Sequence, residues 1–308
     1  MPSFMQAVWL AACFILFTNA APVVGADLSN LTVTITASED TESTSSLISA
    51  IRSRVPQATV QSANQIATNK YPADTVHIAI GPIALRALSA LPIQNPRSSI
   101  ISVHTSSVAY RQILDETLRR RTGISAIYNE PSPANQLRLI HAIYRRPISV
   151  AVLIQSATHL IPLLRAAAAD TQIDLTIHSV GPGESVYRAL NSVSNRTVLL
   201  AIPDPAIYNN DTIRNLLIAS YRREQAVVGF SPAIVKAGAL ATTTSDSNDT
   251  AAQLEELLSD YISVGRLPSE QFPKYFSVVV NESVARSLNV LIDDGVLQLA
   301  RKPKETHP

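Results

Sequence analysis

Ser149-Val150-Ala151-Val152-Leu153-Ile154 is an uncharged run rich in β-branched side chains, short enough for a strand buried on both faces. The segments C-terminal to it decide the fold. Leu160 to Asp170 carries apolar positions at helical spacing, Asp174 to Val180 reads as a strand, and Val186 to Val193 as a helix. Strand Thr197 to Ile202, helix Asp211 to Arg223 and short strands at Ala226 to Gly229 and Ala239 to Thr243 complete the series. Short β-branched runs alternating with longer amphipathic stretches are the pattern of a parallel sheet covered by helices.

The same pattern stands on the N-terminal side. Strands are expected at Leu31 to Thr36, Val76 to Ile80, Ser99 to Val103 and Ile124 to Tyr128. Helices are expected at Ser43 to Arg54, Pro82 to Ala90 and Val108 to Arg120. The chain of 308 residues has room for two domains of about 150 residues each. Arg145-Arg146-Pro147 reads as the hinge, because the residue before proline is biased away from helix. Beyond Asp246 the sequence predicts a helix from Thr250 to Val264 ending at Gly265, a strand from Phe276 to Val280 and a helix from Glu282 to Leu288. Residues 293–308 are expected to form a loose tail.

Hydrophobic residues make up 46% of the chain against 16% charged, so a sizeable core can be buried. Net charge is +1, from 25 Lys+Arg against 24 Asp+Glu, which supplies no field for nucleic acid or an anionic membrane. Trp9 to Phe17 is an apolar run followed by small residues, with Val24 and Ala26 at the −3 and −1 places before Asp27. This predicts a secretory signal peptide over residues 1–26, although no Lys or Arg occurs before Arg52. A transmembrane anchor would need about 20 apolar residues. The only cysteine, Cys13, lies within that run, where Leu10-Ala11-Ala12-Cys13 superficially matches a lipoprotein box. Cleavage after Ala26 is the preferred reading, and it leaves a mature chain without thiol chemistry.

No catalytic constellation stands out: there is no GxxxxGK[ST], GxGxxG after a strand, GxSxG or HExxH. The six histidines are scattered, none at the i, i+4 spacing of a helical zinc site, so no metal and no cofactor is expected. Glu39-Asp40 and Asp204 come just after predicted strands, and open parallel sheets bind ligands at the C-terminal ends of their strands. Opposed carboxylates could serve as acid and base. Without a nucleophile or metal, charge recognition of a ligand is the simpler role.

From Ile124 to Leu288 the chain resembles the ABC-importer solute-binding family that includes tryptophan- and tyrosine-binding members. The resemblance is carried by Ile124-Ser125-Ala126-Ile127-Tyr128, Gln136-Leu137-Arg138-Leu139-Ile140 and Val150-Ala151-Val152-Leu153-Ile154. It is carried further by the stretch from Gly229-Phe230-Ser231-Pro232 to Ala241, by Gly265-Arg266-Leu267-Pro268 and by Asn281-Glu282-Ser283-Val284-Ala285-Arg286-Ser287-Leu288. The resemblance implies an α/β type I periplasmic-binding fold, two Rossmann-like lobes with parallel sheets joined by a three-strand hinge. It implies crossovers near Tyr144–Pro147, Thr243–Asp246 and Leu267–Gln271. The first lobe would take residues 27–145 and 246–268, and the second 146–245 and 269–292.

The resemblance also implies site residues. Asp204 matches the family's aspartate after a second-lobe strand, a partner for a ligand ammonium, against the alternative of an Asx turn or helix cap. Gly81-Pro82 stands where many members have Thr-Pro, and His104-Thr105-Ser106 where members have an Asp-Pro turn. Ser38-Glu39, Gln155-Ser156 and Phe230-Ser231 are the other cleft-loop candidates, with Tyr128, Tyr208 and Phe230 the possible aromatic walls. The implied function is capture of a small polar ligand, such as an amino acid or related compound, for ABC permease subunits, by a monomeric periplasmic protein without enzymatic activity. The competing reading is a module of the same fold that regulates a membrane sensor or envelope complex.

Overall fold

The computed structural model describes residues 28–66, 71–72, 74–90, 98–117 and 123–303. The expected signal peptide and Cys13 lie outside the described residues. In chain order the elements are β1 (Val33–Ala37), α1 (Glu42–Arg54), β2 (Thr59–Ser62), β3 (Val76–Ile80), α2 (Pro82–Ala90), β4 (Ser99–Thr105), α3 (Ser107–Glu116), β5 (Ile124–Tyr128) and α4 (Pro133–Tyr144). Next come β6 (Ile148–Ile154), α5 (Ile161–Ala169), β7 (Ile173–Ser179), α6 (Val186–Ser192), β8 (Val198–Leu200), α7 (Ile213–Arg222), β9 (Val227–Val228), α8 (Pro232–Ala237) and β10 (Ala241–Thr244). The chain closes with α9 (Ser247–Val264), β11 (Ser277–Val280), α10 (Glu282–Ser287) and α11 (Asp294–Leu297).

Two sheets result. The first has the order β2-β1-β3-β4-β5 and is parallel throughout. The second runs β7-β6-β8-β9-β10-β11, with only the β10–β11 pair antiparallel. Both place the second strand outside the first and continue with the third, so each lobe has one point where the strand order reverses and a crevice opens. Leu47 and Ile51 of α1, with Leu254, Leu257 and Leu258 of α9, cover one face of the first sheet; α2 and α3 cover the other through Leu85, Leu88, Tyr110 and Ile113. The second lobe has a single core built around the buried Val150–Ile154 run of β6 and its helices.

Packing corrects the expected lobe boundaries in three places. Leu137, Leu139, Ile140 and Ile143 of α4 belong to the second core. The buried Gln136 amide fixes that attachment: its oxygen accepts from the Thr243 N–H and hydroxyl at 3.0 Å each, and its nitrogen donates to the Gly229 carbonyl. Residues 133–145 therefore sit on the second lobe, and the chain first crosses after Glu130, not near Tyr144–Pro147. Pro147 ends a helix; it does not mark the change of lobe. A second correction concerns Gln271, which bridges Ile127 and exchanges backbone hydrogen bonds with Ala126 and Tyr128, so it extends the first sheet. The third crossing lies beyond it, before β11.

The third correction concerns the tail, which is tied down as far as it is described. Val296 is buried, Phe276 and Arg301 form an antiparallel bridge, and Lys302 pairs with Asp246 at 3.2 Å and Asp249 at 2.7 Å. Among the described residues no helix is long and apolar enough to cross a membrane.

Candidate functional site

The first lobe presents its strand ends as one wall. Ser38 and Glu39 leave β1 exposed, and Thr41 caps α1 by accepting from the Thr44 N–H at 3.2 Å. β3 turns into α2 through Gly81, whose φ of +85° suits a residue without Cβ; its N–H donates to the Val103 carbonyl at 2.9 Å. β4 gains one residue against β5 between Ser102 and Thr105, and this bulge contains His104 at φ +54°. Bulges re-aim side chains at strand ends, and here the imidazole turns toward the other two strand ends.

Ser38, Glu39, Gly81, Pro82 and His104 thus line one cavity of about 160 Å³, together with Thr41. His104 also borders an open groove of about 520 Å³, whose walls include Glu42, Ser46, Asn129, Ser245 and Asp246. Burial holds the His104 pKa below its ordinary value. The lining mixes hydroxyls, the Glu39 carboxylate and the His104 imidazole with apolar Ile80, Pro82 and Ile83, and five of the seven first-lobe residues named from the sequence meet there. Thr105 and Ser106 do not join them. Thr105 is buried with its hydroxyl toward the Val103 carbonyl, and the Ser106 hydroxyl caps α3 by accepting from the Ala109 N–H at 3.2 Å.

The second lobe's candidates are spent on structure. Asp204 is fully buried: its carboxylate accepts from the Gln155 and Ser156 N–H groups at 2.7 Å each, from Ala157 N–H at 2.9 Å and Ala206 N–H at 3.1 Å, and from the Ser156 hydroxyl. Burial alone would raise its pKa, but the Ser156 hydroxyl and the three loop amides outweigh burial and hold the carboxyl below the usual range. Every oxygen is occupied, so Asp204 staples the β6 and β8 loops together and has no lone pair left for a ligand ammonium; that expectation is overturned. Ser156 donates to the same carboxylate. Ser231 caps α8 by accepting from Ile234 N–H. Tyr208 is buried, with its ring 6.0 Å from Phe230 in an edge-to-face pair, and burial and Asp204 both push its pKa up. Tyr128 is buried between Tyr110 and Phe272. None of the three aromatics lines either cavity.

Sequence reasoning missed a polar chain between the lobes. The Ser107 N–H donates to both oxygens of the buried Glu130 carboxylate at 2.8 and 3.1 Å, and the Ser107 hydroxyl lies 2.8 Å from His159 Nε2 across the gap. Burial raises the Glu130 pKa against the opposing Ser107 hydrogen bonds. Burial, then the Arg111 cation, lowers the His159 pKa to about 4, with Asp204 acting the other way. His159 is therefore neutral at neutral pH. Asn129-Glu130 and Ser245-Asp246 also stand just after strands, so the strand-end rule that pointed to Glu39 and Asp204 could have found them. Among the described residues no group of three or more His, Cys, Asp or Glu side chains could hold a metal ion.

No family model matches the chain, and no curated protein matches it. Solved structures do. A ligand-free, open substrate-binding protein with adhesive properties from Clostridium difficile has a TM-score of 0.62 at 14% identity, over 86% of this chain and 96% of that one. An ABC domain in complex with L-Trp from Streptococcus pneumonia has a TM-score of 0.57 at 14% identity, over 88% and 99%. A conserved domain protein from Vibrio cholerae has a TM-score of 0.54 at 18% identity, over 88% and 98%. The chain has the type I periplasmic-binding fold, shared with these proteins across nearly their whole length.

Proposed function

We propose that the protein captures a small polar solute between its lobes outside the cytoplasm and presents it to an ABC permease. The observation that carries this reading is the convergence of Ser38, Glu39, Gly81, Pro82 and His104 on one cavity at the C-terminal edge of the first sheet, where this architecture takes ligands. The lining selects for chemistry. It offers hydroxyls, an imidazole and carboxylates beside Ile80, Pro82 and Ile83, and among the described residues no Lys, Arg, Phe, Tyr or Trp lines either cavity. A compact ligand rich in hydrogen-bond donors suits it better than an anion or a flat aromatic compound. Fold kinship with a substrate-binding protein and with an ABC domain in complex with L-Trp supports solute capture as the role.

One observation favours a second reading, a regulatory module of the same fold. Ser156, Asp204 and Ser231 are already satisfied within the second lobe, so that wall has little to offer a solute. A melting screen of the full chain against amino acids, amines, polyols, nucleosides and short peptides separates the two. A solute at 100 times its dissociation constant should add about 2.7 kcal/mol of stability. A hit abolished by Ser38→Val supports capture; a flat screen across all classes would overturn it in favour of the module.

A further inference from the structure

The one side-chain hydrogen bond described between the cleft loops of the two lobes joins Ser107, at the start of α3, to His159, in the 3-10 turn Thr158–Leu160 after β6. Both are held from behind. Ser107 is fully buried and its backbone is gripped by Glu130, the last residue before the chain crosses to α4. His159 stands on the loop whose amides Asp204 collects, so its position is fixed by the same carboxylate that rigidifies Gln155 to Ala157. We propose that Ser107 and His159 form a latch that holds the lobes together before any solute arrives, with Glu130 coupling the latch to the hinge.

The geometry supports a device that can open. Beside the bond, Val108 of α3 packs against the second core, so opening the cleft there gives up one hydrogen bond and that apolar contact; domain closure of this kind turns on a few element-terminal residues. The groups facing His159 are the Arg111 cation of α3, itself 3.7 Å from Glu270, and the Asp204 carboxylate beyond β8. The Arg111 cation outweighs the Asp204 carboxylate and, with burial, keeps the imidazole neutral, so its Nε2 can exchange a hydrogen bond with the Ser107 hydroxyl. The latch concerns closure of the same cleft read above as the solute site, yet it does not require that any solute be bound.

The test uses the full chain without added solute. Cys13 is the only cysteine, so Cys13→Ser clears the background and exposed Ser49→Cys on α1 and Arg165→Cys on α5 carry spin labels on opposite lobes. Distance distributions by pulsed electron resonance should be single and narrow in the parent. His159→Ala and Ser107→Ala should each add a longer-distance population, with melting curves showing that both variants remain folded. A broad parent distribution, or distributions unchanged in both variants, would overturn the latch. Because no ligand enters the measurement, its failure is separate from a failure of the solute screen.

Discussion

The two lobes repeat one strand order and use the same position, the loop after a strand, in opposite ways. In the first lobe Gly81 N–H bonds to the Val103 carbonyl and Asn129 N–H to the Thr105 carbonyl, and of the carboxylates after its strands Glu130 is held by the Ser107 N–H. The side chains of Ser38, Glu39 and His104 are left facing a cavity. In the second lobe the amides of Gln155, Ser156 and Ala157 converge on Asp204 and consume it. A carboxylate at a strand end is therefore a ligand group only where the surrounding amides have other partners. Its place in the topology does not decide the matter; the count of converging donors does.

Removing Asp204 is the strongest way to break that contrast. Asp204→Ala leaves four amides and a hydroxyl without their acceptor in a partly buried site and should destabilise the chain by about 3–5 kcal/mol, the summed scale of several hydrogen bonds to a charged group. Chemical denaturation reads this directly, and a loss below about 1 kcal/mol would return Asp204 to the status of an ordinary cap. The pH dependence has a definite sign. The folded-state pKa is depressed, so the carboxylate's contribution is complete above the unfolded value of about 3.9 and is lost as pH falls through the lower folded value. The parent should lose stability in that acid range more steeply than Asp204→Ala.

How far this was readable from the sequence differs element by element. β3, β5 and α2 coincide with their expected bounds, because uncharged β-branched runs and a proline at the first helical turn are local signals. β2 was invisible: Thr59-Val60-Gln61-Ser62 is an edge strand with one buried residue, so it carries no apolar run to detect. The lobe to which α4 belongs was also misread, since its attachment rests on Gln136 meeting Thr243, a pairing 107 positions apart. Within the site, the strand-end rule located Glu39, and the family resemblance supplied Ser38, Gly81 and His104. Nothing local told Asp204 from Glu39, because the amides that consume Asp204 lie nearly fifty positions earlier in the chain.

The tail sharpens the comparison by tying the lobes to each other. Lys302 lies next to the Phe276–Arg301 bridge near the third crossing and reaches the first turn of α9, where Asp249 is buried and Asp246 is the N-cap. Lys302→Met leaves the Asp249 carboxylate without its cation while Lys302 itself is half exposed. The loss should lie between that of a surface pair and that of a buried one, about 1–2 kcal/mol. Melting curves at low and high salt test it. An effect that vanishes entirely at high salt would make the contact a surface pair and remove the tail from the account of how the lobes are held.

Glu39 gives the smallest effect on stability and the most direct check of the first-lobe wall. It is exposed, no side-chain hydrogen bond is described for it, and it lines the cavity beside Ser38 and His104. Glu39→Gln keeps the shape and removes the charge, so folding should change by no more than about 0.5 kcal/mol, as for a surface position away from structural features. Affinity for a donor-rich or cationic hit from the solute screen should fall by about 1.5–3 kcal/mol, the usual worth of a hydrogen bond to a charged group. Calorimetric titration and one melting curve on the same variant give both numbers. If the variant instead loses stability on the scale of Asp204→Ala while binding is untouched, the two lobes use their strand-end carboxylates alike and the contrast between them is gone.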